Sequence, residues 1–303
     1  MSRHGGVSPR ARLIRGGALA TLVVLAVSVA VLVPSRPPPI RVGASSHVTE
    51  PVCNPPLPEI LPVTIDNRRA SFGPSEIAVP KNIVPNPNFL GSCRTAVITT
   101  AHVNEEVAAI NHARRIEGVA PMRINAARFA RLTGGEQILV VVDLERVARG
   151  LAPVAALTSQ LDVMVAHDTF SSKDPVFVGW HLAGGNAVTA WASNWAGGLD
   201  VLGSDYIFMY DDGVGYNLEC PTTGSVGCWA HRDNVLLATP VASSCNDIGG
   251  RAVLVMGAAV VPDTNEGRVG VGELFVTSCR GLPADTTFTW ASAQRDLLGA
   301  KSG

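Results

Sequence analysis

The first 49 residues carry no acidic side chain, and Arg3, Arg10, Arg12 and Arg15 precede an uncharged run from Gly17 to Val33, GALATLVVLAVSVAVLV. A basic flank followed by such a run is a membrane-insertion signal whose positive end stays inside. No other segment constrains the chain so strongly, because everything after Pro34 must then fold outside the cytoplasm. A spanning helix needs at least about 17 residues and a signal-peptide core about 7 to 15, so an uncleaved anchor and a cleaved signal both stay open. Ser28, Val29 and Ala30 offer a peptidase small residues, though inside the apolar run. Residues 1–16 are read as a basic cytoplasmic tail and 17–33 as a transmembrane signal anchor or signal peptide. The expected location is the cell membrane with an extracytoplasmic domain, or the exterior if the segment is removed.

Export gives the cysteines a meaning. There are six, Cys53, Cys93, Cys220, Cys228, Cys245 and Cys279, with no CxxC pair among them. In an oxidising compartment an even set reads as disulfides rather than a zinc site. Proximity along the chain favours Cys220 with Cys228, Cys245 with Cys279, and Cys53 with Cys93; sequence alone leaves the other connectivities, and free thiols, open. The formal charge of −1 provides no basic field, and the few aromatics are not interleaved with Lys and Arg, so nucleic acid is excluded as a partner.

Prolines recur from Pro34 to about Phe89, in PSRPPP, EPVCNPPLPEILP and VPNPNF. Such a stretch favours extended polyproline-like backbone and builds no core alone. Residues 34–92 are therefore read as a spacer, its second half lying on the domain or simply disordered. Residues 93–303 form the extracytoplasmic domain.

Helical patterning begins near Ala101. NEEVAAINHARRIEG spaces Val107, Ile110, Ala113 and Arg114 on one face and stops at Gly118, with Pro121 behind it. In the next helix Thr133 and Glu136 have capping-box spacing, EQILVVVDLERVAR fills it, and Gly150 then Pro153 end it. The similar endings at Arg114 and Arg146 reflect shared helix-stop chemistry rather than a repeat. LTSQLDVMVAHDTF is a third helix, with Leu157, Leu161, Met164 and Val165 on one face and His167 at its surface. From Arg251 the texture changes to two β-rich runs, RAVLVMGAAVV and GELFVTSC, joined by PDTNEGRVG. Helices first and a late antiparallel pair give an α+β class.

ERVARGLAPV, LTSQLDVMVAH, SNWAGG, AHRDNVL and GGRAVLVMGAA…ELFVTSC occur in one order between residues 135 and 279. That order resembles the CAP superfamily of cysteine-rich secretory proteins, antigen 5 and plant pathogenesis-related proteins (SCP-like domains), in its bacterial secreted form. AHRDNVL resembles the bacterial GHRxNIL signature, RGLAPV the RxxxGLxPL ending of the first family helix, and SNWAGG the GENIAxG element. The resemblance implies a three-layer α-β-α sandwich with a small antiparallel sheet and a cleft where two histidines and two acids gather, in some members around a divalent metal.

Carried over by position, the cleft would hold His231 from the GHRxNIL-like run and His181 from VGWHLAGG. Asp211, with Asp212 beside it, follows the aromatic-rich helix. Where GENIA has its glutamate this chain has Ser193, followed by Asn194 and Trp195. His181, His231 and one carboxylate could hold a divalent ion such as zinc with an open position, and the missing acid weakens that set. Otherwise no cofactor is expected, and the histidines are hydrogen-bonded residues of a polar cleft floor. On that reading His231 bonds the Cys220–Cys228 loop beneath Trp229, Arg232 pairs with an acid, and Asp233 or Asn234 caps a turn. His231 and Asp211 are the catalytic candidates, but a Ser193–His231–Asp211 triad lacks a GxSxG elbow. GGLDVLG lacks a nucleotide-loop setting. Trp180, Trp191 and Trp195 either line a groove for glycans or lipids or belong to the core.

These features leave three functional classes. The first is a non-catalytic extracytoplasmic domain, held to the membrane through its N-terminal helix, whose cleft binds a small apolar or cell-envelope ligand, lipid or glycan, or a protein partner. The second is a metal-assisted hydrolase acting on peptide or envelope polymer. The third is a structural surface protein.

Overall fold

The computed structural model describes residues 81–83, 99–215, 220–222, 225, 227–237, 245, 250–263 and 268–297, with a short strand pair, β1 (Arg68–Ala70) and β2 (Ile77–Val79). All lie within one compact unit, Thr49–Gly303. The expected tail, the 17–33 run, most of the spacer and the Cys53–Cys93 pair lie outside the described residues. Among the described residues no helix is long and apolar enough to cross a membrane.

Helix α1 (Thr100–Ile116) starts where Thr99 caps it, the Thr99 hydroxyl accepting from the His102 N–H, and buries Ile110, Ala113 and Arg114 of the expected face, with Val107 half-buried and Val103 buried beside them. A single turn, α2 (Ala126–Phe129), leads to α3 (Gly134–Ala148). The expected capping box is present: Thr133 Oγ1 accepts from the Glu136 N–H at 3.3 Å, and the Glu136 carboxylate accepts from the Thr133 N–H at 2.8 Å. Every residue of α3 from Gln137 to Arg146 is buried. A helix covered on all sides occupies the middle of its layer.

The third helix begins later than its apolar spacing suggests. Leu157 belongs to strand β3 (Ala156–Thr158), and α4 runs Ser159–Phe170 because Thr158 caps it, its hydroxyl accepting from the Leu161 N–H. Strands β4 (His181–Leu182) and β5 (Asn186–Gly197) form a hairpin, and helices α5 (Val201–Tyr210) and α6 (Ala230–Val235) follow. The two late β-runs pair antiparallel as β6 (Ala252–Asp263) and β7 (Arg268–Cys279), before β8 (Thr286–Thr289) and α7 (Trp290–Leu297).

The strands form one six-stranded sheet, ordered β4-β5-β7-β6-β3-β8. The small antiparallel sheet is thereby corrected: β3 lies parallel to β6, so the sheet is mixed. On the other side of β3, β8 closes that edge antiparallel. The class is α+β.

Alternation along β6 divides the core. Leu254, Met256 and Ala258 join the large cluster that contains Ile110 of α1, Leu139 and Val142 of α3, and Tyr206 and Met209 of α5. Val253 and Val255 face Leu161 and Val165 of α4 on the other side. Helices thus cover both faces of the sheet, and glycines permit the approach. A Cβ on Gly257 would stand 2.3 Å from the carbonyl carbon of Leu161, and one on Gly135 would stand 2.8 Å from the Ala258 carbonyl oxygen.

Cys220 bonds Cys228, and Cys245 bonds Cys279, the pairings that chain proximity favours. Disulfides of this kind persist in an extracellular or secreted setting. Residues 81–83 of the spacer lie on the domain. The Ile83 N–H donates to the Tyr210 carbonyl at 2.8 Å and the Tyr206 hydroxyl donates to the Ile83 carbonyl at 2.7 Å. Asn82 accepts from the Gly213 N–H at 2.7 Å and donates to the Val214 carbonyl at 2.9 Å.

Candidate functional site

Helix α5 is buried along almost its whole length, and the polar residues at its ends hold it in place. Asp200 caps its start, accepting from the Gly203 N–H at 2.9 Å. At its other end the chain leaves through Asp211 and Asp212 and reaches α6 by way of the Cys220–Cys228 loop. Trp229 precedes α6 with a left-handed backbone, φ 64°, and offers no side-chain cap.

Asp212 supplies the cap from a distance. Its Oδ2 accepts from the His231 N–H at 2.9 Å, and its Oδ1 lies 2.7 Å from His231 Nδ1. One buried carboxylate therefore both begins α6 and orients the imidazole. The ring is stacked on Phe208 of α5, with centroids 5.0 Å apart, and its side chain is 23 % exposed against 1 % for Asp212.

The sheet closes the site from below. Asn194 of β5 stands directly opposite Glu273 of β7. Its amide donates to Glu273 Oε2 at 3.0 Å and to the His231 carbonyl at 3.1 Å. Asn234 of α6 donates to Asn194 Oδ1 at 2.9 Å and to the Ser193 carbonyl at 2.8 Å. Burial pushes the Glu273 carboxyl up to about 7, opposed by the Asn194 hydrogen bond and the charge of His231. The result is a carboxyl poised near neutrality beside a fixed imidazole.

The neighbouring acid differs. Asp211 is wholly buried, and among the described residues neither of its carboxylate oxygens has a hydrogen-bond partner. Burial and then the charge of Asp212 push it up to about 8. Behind the site, Arg232 donates to the Met209 carbonyl and pairs with Glu117 at 2.9 Å, so it meets an acid as expected.

Of the residues singled out in the sequence, His231, Asp212 and Asn194 converge. Asp211 adjoins them with its carboxyl buried, and Ser193 contributes only its carbonyl. Ser193 and Trp195 pair with Leu274 and Gly272 of β7, so they belong to the α4 face of the sheet, away from Asn194. A Ser193–His231–Asp211 triad is therefore not assembled. The His231 ring engages Asp212 and Phe208.

His181 is the main correction. It is exposed, paired opposite Ala187 in β5, seven residues from Asn194, which at about 3.3 Å per residue is ~23 Å along the strand. The family resemblance put it near the cluster, but β4 folds back as a hairpin and carries His181 to the far end of β5. Zinc–nitrogen bonds are only about 2.0 to 2.1 Å long, so His181 and His231 do not share an ion in this arrangement. Among the described residues no three His, Cys, Asp or Glu side chains are grouped to hold a metal.

No family model, curated protein or solved structure matches the chain. The site must therefore be read from its own chemistry. An imidazole fixed at Nδ1 by a carboxylate and by stacking, with an amide and a near-neutral carboxyl beneath it, can exchange hydrogen bonds with a bound hydroxyl, amide or carboxyl group. Two of its members were missed in the sequence. Glu273 is the only charged residue between Val269 and Cys279, and an acid alone in an apolar strand is the signal that could have found it. Phe208 gave no signal apart from the aromatic character of its helix.

Proposed function

We propose that this protein is an exported, membrane-anchored domain of CAP-like, three-layer α-β-α type that binds a cell-envelope ligand at the Asp212–His231–Asn194–Glu273 cluster without transforming it. The reading rests on the Asp212–His231 pair: one carboxylate grips both the backbone N–H and the ring of the same histidine, while three elements of the fold hold that histidine in place. Such an imidazole is preorganised for recognition. The order of the AHRDNVL, SNWAGG and RGLAPV runs supports the family reading. The hydrolase alternative needed a second histidine at the site, and the geometry gives it no support. The ligand is a lipid or glycan of the envelope bearing a polar group for His231, the partly exposed member of the cluster.

The test is a titration of the full chain, labelled with ¹⁵N at histidine, with soluble envelope glycan fragments and with short-chain phospholipid. We expect a saturable shift of the His231 ring signals with one class and at least a tenfold weaker response in Asn194→Ala. No shift with either class removes the binding site, and ligand cleavage detected by mass spectrometry replaces binding with catalysis.

A further inference from the structure

Ten large apolar side chains are exposed among the described residues, and six of them, Val163, Phe170, Val176, Val178, Trp180 and Trp191, fall within one short stretch of chain. Scattered exposed apolar residues need no explanation, whereas this concentration does. The stretch also lies on one side of the fold. Thr169, near the end of α4, sits where a Cβ on Gly270 or Gly272 would stand, so α4 ends over β7. The chain then travels to Trp180, whose carbonyl accepts from the Val188 N–H of β5 at 2.9 Å. Residues 171–180 therefore run along β5 on the α4 side. Phe177 turns inward to the core there, while Val176, Val178 and Trp180 are 46 %, 72 % and 80 % exposed. Trp191 belongs to the same face, since its partner Val276 packs against α4.

We infer that this stripe, led by Trp180 and Val178, rests in the headgroup region of a lipid bilayer. Tryptophan favours that region because its ring is apolar and its N–H is polar. The charges of the connecting segment, Lys173 and Asp174, are of opposite sign, so the contact is apolar insertion and not attraction to anionic lipid. A handful of side chains holds a free protein to a membrane only marginally. This chain carries its own route to one, the 17–33 run, and the 34 residues between it and β1 reach ~105 Å at a polyproline rise of about 3.1 Å each. A tether of that length keeps the stripe at high effective concentration near the surface, which makes a weak patch sufficient. A second copy or a protein partner has no comparable feature in its favour.

The inference is independent of the ligand site, which lies on the opposite face of the sheet and would open away from the lipid. It does rest on the N-terminal run acting as an anchor. The full chain is reconstituted into phosphatidylcholine vesicles with and without brominated acyl chains, and flotation reports anchoring separately. The difference in emission between the natural chain and Trp180→Phe isolates Trp180. We expect that emission to be quenched at least twofold by brominated lipid, and Val178→Asp, at an exposed position, to abolish the quenching while leaving the melting temperature unchanged. The same result at any anionic lipid fraction is expected. Unquenched Trp180 emission in chains that float overturns the docking and leaves the anchor standing. Chains that do not float remove the tether and the docking with it. Quenching absent while Val178→Asp converts dimers to monomers assigns the stripe to a second copy.

Discussion

Adjacent acids at the end of α5 show how one residue step decides chemistry. Asp212 faces α6 and takes up His231, while Asp211 turns beneath the end of the helix, where burial favours its neutral form. Its folded-state value of about 8 lies above the ordinary aspartate value of about 4, so between those limits the folded chain holds a proton that the unfolded chain has released. The stability this proton confers is complete below about pH 4 and is lost as pH rises through about 8. Asp211→Asn keeps the shape and removes the titration. We expect it to be close to neutral below about pH 4 and to stabilise increasingly as pH rises, by ~3 to 5 kcal/mol near pH 8, read by urea unfolding at pH 4 and pH 8. Parallel pH profiles for the two proteins would show that Asp211 is solvated. The sequence made the pair visible as a pair but not which member would serve His231, because that depends on the direction in which the chain leaves α5. Glu273 was legible only as an anomaly in an apolar strand, since its partner Asn194 comes from a strand roughly 80 residues earlier.

Local chemistry was the most legible part of the elements. The capping box of α3, the glycine stop at Gly150 and the late hairpin could all be read because each depends on residues a few positions apart. The start of α4 was misread because apolar spacing does not distinguish Leu157 in a strand from Leu157 in a helix, whereas the Thr158 cap does. The mixed sheet was hidden for a similar reason, since β3 is three residues long and its pairing with β6 is set by tertiary packing. The seat of α4 on the sheet depends on Gly257, where an added Cβ would stand 2.5 Å from the Leu161 carbonyl oxygen. The obstacle is backbone, which no rotamer change relieves. Gly257→Ala should therefore lift α4 from β6 and cost at least ~2 kcal/mol, with amide exchange quickening first in Leu161 and Val165. Unchanged protection of those two amides would mean that the helix can slide without loss.

At the scale of the molecule the two disulfides divide their work. Cys245–Cys279 closes a 34-residue separation and ties the end of β7 to the chain that precedes β6, whereas Cys220–Cys228 closes only 8 residues and holds the loop that delivers α6 to the site. Loop-closure entropy alone makes the larger ring worth about 4 kcal/mol and the smaller about 2.5 kcal/mol. Stability and site geometry should therefore respond in opposite order. Replacing Cys245 and Cys279 by serine is expected to lower the unfolding free energy more, yet leave the His231 ring signals near their original positions, because Asp212, Asn194 and Phe208 still hold the imidazole. Replacing Cys220 and Cys228 is expected to cost less stability and to move those signals more, because the left-handed turn at Trp229 loses the ring that fixes its approach. Denaturant unfolding and ¹⁵N spectra of the two double variants measure both quantities. If the smaller ring proves to control stability and the larger one the imidazole, the site is organised by the sheet edge rather than by the loop between α5 and α6.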